Sequence, residues 1–87
     1  MTTIKKFSPV TFAIWRFVAH TITNDKWHTP PTLDEIARAC FVSNATVSNH
    51  LAFLNRMGKI ERDSRRSRGI VLLEMPPEED HEPTESN

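Results

Sequence analysis

Between Ser43 and Asn49 the chain reads Ser-Asn-Ala-Thr-Val-Ser-Asn, and from Asp63 to Gly69 it reads Asp-Ser-Arg-Arg-Ser-Arg-Gly. The first run offers hydroxyls, carboxamides and small methyl-bearing side chains with no charge. The second offers three guanidinium groups in four positions. Small polar groups on a slim helix can reach base edges in the major groove, and an asparagine can pair with both N6 and N7 of adenine. Asn49 is therefore the leading candidate for reading a base, with Ala45, Thr46 and Ser48 beside it. The Ala45 or Thr46 methyl suits a thymine methyl. Ser43 and Asn44, at the positive end of a helix, suit a phosphate. Arg65, Arg66 and Arg68 are candidates for the backbone, because arginines on a flexible tip fit phosphates or a narrow minor groove, and Arg56 is another, from the exposed side of the helix. His50 sits beside the buried stripe of the same helix, where it suits a phosphate and simple packing equally.

Plainer readings exist for both runs. A helix face kept for solubility carries Glu–Lys pairs, and none stands here. Edge strands carry charge to block aggregation, but three arginines of one sign exceed that need. The four histidines and Cys40 lack metal-ligand spacing, so no metal is expected. No glycine-rich phosphate loop is present and no cofactor is expected. Ser43 and Ser48 lie near His50 in sequence but without a strained nucleophile turn. No catalytic site is assigned, and the chain is not read as an enzyme.

The elements that must position these groups follow from spacing and caps. Ser8-Pro9 opens a first helix, since serine caps and proline suits the first helical position. Phe7, Val10, Ile14, Phe17, Val18 and Ile22 follow helical spacing, and Phe12 and Trp15 widen the apolar face. That width covers either the core and the back of the hairpin or a dimer contact. Asn24-Asp25-Lys26 closes the helix. Pro30 and Pro31 hold the connector extended. Thr32 with Glu35 makes a capping box for a second helix, whose inward stripe is Leu33, Ile36, Ala37 and Cys40. Cys40 is read as a small buried hydrophobe. Phe41-Val42 is the turn and is expected to point inward. Ser43 caps a third helix running to about Met57, with Val47, Leu51 and Leu54 buried. Ala45, Asn49, Ala52 and Arg56 lie opposite, flanked by Thr46, Ser48 and Phe53. Gly58 ends it. Strands are expected over 59–63 and 70–74, with Gly69 free to take a positive φ. The fold class is mainly α with a small β-hairpin: a winged helix-turn-helix of three helices and a two-stranded wing.

Eighty-seven residues make one thin-cored domain. Residues 1–7 read as an arm, 8–74 as the domain and 75–87 as an acidic, disordered tail. Net charge is zero, yet five of the eleven acids (Glu78, Glu79, Asp80, Glu82 and Glu85) lie in that tail with no basic residue. Residues 1–74 thus set eleven basic groups against six acidic ones, and Lys59, Arg62, Arg65, Arg66 and Arg68 fall within ten positions. A focused patch matters more to nucleic acid than the total. The tail reads as a solubilising segment, a competitor for the basic wing, or a docking segment for a protein partner. One cysteine excludes an internal disulfide, and no run suggests a signal peptide or membrane span, so a cytoplasmic location is expected.

Four motifs then carry a resemblance: Pro-Pro-Thr-x-x-Glu-Ile-Ala at 30–37, His-Leu-x-x-Leu at 50–54, Gly-x-Ile-Glu at 58–61 and Ser-Arg-Gly-Ile-x-Leu at 67–72. Over residues 8–73 the chain resembles the amino-terminal DNA-binding domain of LexA-type repressors. The resemblance implies a winged helix-turn-helix that binds operator DNA as a dimer. Many members carry two acidic residues before His-Leu where this chain has Ser48 and Asn49, so its operator is expected to differ. The self-cleaving peptidase domain of such repressors has no counterpart in these residues, and self-cleavage is not carried over. The reading is a small LexA-like transcriptional regulator, repressor-like, of bacterial, plasmid or phage origin, binding double-stranded DNA as a homodimer. The alternatives are a replication or partition factor using the same DNA contacts, and a protein-interaction module using the tail or the Phe12/Trp15 surface.

Overall fold

A computed structural model describes residues 7–77, and the greater part of the arm and of the acidic tail lies outside them. The order is α1 (Pro9–Asn24), α2 (Leu33–Cys40), α3 (Asn44–Arg56), β1 (Ile60–Arg62) and β2 (Ile70–Leu72). The strands pair antiparallel, Ile60 opposite Leu72 and Arg62 opposite Ile70. Among the described residues no helix is long and apolar enough to cross a membrane.

Each boundary has a local cause. The Ser8 hydroxyl accepts the Thr11 N–H at 3.1 Å and caps α1. Phe7 lies before this cap, outside the helix, and its ring meets Phe12 edge-on at 5.6 Å. That pairing across the cap is a hydrophobic staple rather than a helical stripe position, and it draws Phe7 into the domain. Beyond α1 the Asp25 carboxylate accepts the Trp27 and Thr29 N–H groups at 2.8 and 2.9 Å. These bonds hold its pKa below the usual carboxylate range. Thr32 and Glu35 close the capping box of α2 at 3.1 and 2.9 Å. At the far end of α3, Gly58 at φ 78° lets the Lys59 N–H reach Leu54 O and its own N–H reach Asn55 O, a Schellman closure.

The core gathers Ile14, Trp15 and Val18 of α1, Ile36 and Ala37 of α2, Val47, Leu51 and Leu54 of α3, and Ile60 and Ile70 of the hairpin. The α3 stripe is the expected one. Trp15 is only 1% exposed and its indole N–H donates to the Glu74 carbonyl at 2.9 Å, so it cannot offer a partner surface. It covers the back of the hairpin, the first of the two roles open to it. Cys40 is half-buried against the core, and desolvation raises its thiol pKa.

Three expectations need correction. Phe41 does not enter the core: it is 93% exposed, because it takes left-handed backbone (φ 58°, ψ 44°) at the end of α2. Val42 packs inward in its place. The strands are shorter than expected: β1 gives way to the tip after Arg62, and at the opposite end the Leu73 and Glu74 N–H groups both donate to the Lys59 carbonyl, at 3.0 and 3.1 Å, which ends the regular ladder. Gly69 has no positive φ; a Cβ there would strike the Asp63 carbonyl oxygen, so its role is close backbone approach.

Gly69→Ala is accordingly expected to destabilise by about 1–3 kcal/mol, the range for forcing an atom into filled space. Gly58→Ala, whose Cβ would meet nothing within 4 Å, involves only backbone strain and should cost about 1 kcal/mol. Urea unfolding of both variants measures the difference.

Candidate nucleic-acid interface

The interface grows from the way α3 is clamped. On one flank, the Thr11 hydroxyl of α1 lies 2.7 Å from His50 Nδ1 and 2.9 Å from the Ser8 hydroxyl. Thr11 is only 3% exposed, so its hydroxyl needs these partners. His50 therefore has one ring nitrogen engaged inside the protein. Phe53, expected beside the exposed face, turns to the same flank and meets Phe7 edge-on at 5.5 Å. On the other flank, Arg62 of β1 donates from a terminal guanidinium nitrogen to the Ser48 hydroxyl at 3.1 Å. Ser48 is thus half-buried on the wing side of the face it was expected to flank.

Between the flanks, Ala45, Asn49, Ala52 and Arg56 form one exposed stripe, with Ser43 and Asn44 exposed at its start. The Ser43 hydroxyl accepts the Thr46 N–H at 3.1 Å and donates to the Thr46 hydroxyl at 3.0 Å. Thr46 is consequently half-buried, with its hydroxyl held by the cap. Asn49 is the only carboxamide on the exposed side of the central turns, where its amide is free to meet an approaching edge.

The three arginines of the wing tip are not equivalent. The Arg65 guanidinium pairs with Asp63 at 3.0 Å, holding that carboxyl below its usual range. Arg68 forms a two-pronged pair with Glu35 at 3.0 and 3.0 Å and donates to the Pro30 carbonyl at 2.8 Å. It ties the wing to the start of α2, and the same Glu35 carboxylate completes the capping box. Arg66 has no ion pair among the described residues, and neither has Arg56. Two of the three tip arginines are thus engaged by carboxylates of the protein itself.

Arg62 joins the site only in the folded chain, through its bond to Ser48. Strand alternation carried the signal: Arg62 shares its face with buried Ile60, so it must point toward α3. Among the described residues no group of His, Cys, Asp or Glu is placed to hold a metal.

A capped helix with an exposed stripe uncharged up to Arg56 at its end, packed on a second helix and flanked by a hairpin with a basic tip, defines a winged helix-turn-helix. Such domains set the second helix of the pair in the major groove. The chain belongs to the LexA DNA binding domain family, whose model matches residues 8–69. It is also 44% identical over 54 residues, 61% of its length, to the LexA repressor of Exiguobacterium sibiricum. It spans about a quarter (26%) of that relative.

The Glu35–Arg68 pair makes stability depend on pH. Arg68 and the Thr32 N–H lower the Glu35 pKa from its ordinary 4.5. A lowered folded-state value stabilises above the unfolded pKa, and the effect fades as pH falls through the folded value. Glu35→Gln is expected to melt lower than the parent at neutral pH and to converge on it in acid below that range. Thermal melts across the acid limb check this.

Proposed function

We propose that the protein is a sequence-specific double-stranded DNA-binding regulator of the repressor-like kind, acting in the cytoplasm as a homodimer on two-fold sites. The observation that carries this reading is the exposed, uncharged Ala45–Asn49–Ala52 stripe with cationic groups at its end and side. Small residues allow a helix to approach base edges, and the cations supply phosphate contacts without obstructing the approach.

Within this proposal each residue has a distinct role. Asn49 reads an adenine through its carboxamide. Ala45 and the Thr46 methyl meet a thymine methyl, and Ser48 reaches the groove edge from the wing side. Ser43 and Asn44 hold a phosphate at the α3 N-terminus, where backbone N–H groups point outward. Arg56 and Arg66 neutralise phosphates, as does Arg65 once it exchanges Asp63 for the backbone. His50 offers its second nitrogen to a phosphate while the first stays with Thr11. Arg62 steers Ser48, and Arg68 sets the height of the wing. A single domain on a half-site makes few contacts, which favours two copies on a symmetric operator.

Selection from a randomised duplex pool at two salt concentrations tests the reading. It predicts an enriched, two-fold symmetric motif. Absence of any enrichment would leave at most an unspecific binder. On the selected site, Asn49→Ala should lose about 1–3 kcal/mol and relax the preference for one base pair. Arg66→Ala should weaken all sequences alike and reduce the salt slope by about 1. Titrations of both variants at several salt concentrations separate base reading from charge neutralisation.

A further inference from the structure

Phe41, in the turn between α2 and α3, sets aside two ordinary preferences at once. It leaves 93% of its surface exposed, and it occupies left-handed backbone, φ 58° and ψ 44°, where glycine rests without strain. Exposed apolar residues are common singly. A bulky aromatic held outward by an unfavourable backbone is not common, and such outliers persist where function retains them. Among the described residues no ring or cation partners Phe41. The inward anchoring of this turn falls to Val42 instead.

We propose that Phe41 is a specificity-determining residue of the DNA interface, its ring meeting the C5-methyl group of a thymine in the major groove. This rests on the function proposed above. Phe41 stands two positions before the Ser43 cap, and Ser43, Asn44 and Ala45 at the start of α3 are exposed as it is, with half-buried Val42 between. In a helix-turn-helix the first helix crosses the backbone while the N-terminal residues of the second meet the bases, so the connecting turn lies at the groove edge between them. An apolar ring at that edge has one good partner, because the thymine methyl is the apolar group that the major groove displays. Its attachment to a left-handed turn directs the ring away from the core, where a right-handed residue would not place it.

Phe41→Gly separates this role from a structural one. The variant should melt at a higher temperature, since the strain is removed, while binding the selected duplex about tenfold more weakly. Its preference should relax at one T·A pair. Replacing that thymine by uracil removes only the methyl, and should weaken the parent by a similar factor while leaving Phe41→Gly nearly unchanged. Parental affinity and preference in Phe41→Gly would overturn the proposal while the Asn49 result still stood. So would a loss equal on all sequences and indifferent to uracil, which marks a backbone contact. A change confined to the number of copies bound, marking a dimer contact, would do the same. If the parent enriches no motif, this proposal and the sequence-specific reading fail together.

Discussion

Two strands of three residues each are too short to stand alone, so the wing exists only by its attachment to the helices. Ile60 and Ile70 bury their side chains in the core that α1, α2 and α3 share. The Trp15 indole reaches across to the Glu74 carbonyl and holds the chain leaving β2. Arg68 then fixes the tip to Glu35 and Pro30 at the surface. The first two ties join uncharged groups and so escape salt screening, whereas the third is an exposed ion pair and is screened. The position of the basic tip relative to α3 depends on all three. A small core thus sets the geometry of the whole candidate interface.

The rotation of α3 about its own axis is constrained from both sides. Thr11 is buried and needs a partner, and His50 supplies one. Arg62 reaches the opposite flank through Ser48. Buried apolar positions alone would tolerate a small roll of the helix, because dispersion contacts are not directional. Hydrogen bonds are directional, so two of them on opposite flanks leave one stripe facing outward. Ala45, Asn49 and Ala52 are presented by elimination as much as by design.

Charge follows a similar logic. A chain with zero net charge can still present a local positive field when its acids are concentrated elsewhere. In the folded domain that field is narrower than the run of arginines suggests. Asp63 engages Arg65, and Glu35 engages Arg68, which leaves Arg56, Arg62 and Arg66 as the cations of the interface without an ion pair among the described residues.

Local chemistry made much of this legible from the sequence alone. The caps at Ser8, Thr32 and Ser43, the stop at Gly58 and the apolar stripe Val47–Leu51–Leu54 follow from hydrogen-bonding needs and periodicity that each segment carries within itself. The winged helix-turn-helix and its exposed Ala45–Asn49 stripe were therefore readable without coordinates. Tertiary structure decided which neighbours from distant segments meet. No spacing rule pairs Arg68 with Glu35, Thr11 with His50 or Arg62 with Ser48, because these contacts close loops of 33, 39 and 14 residues. The same holds for Phe41, whose hydrophobicity pointed inward while its left-handed backbone turned it out. Composition records what a side chain prefers; only the packed chain settles which preference yields.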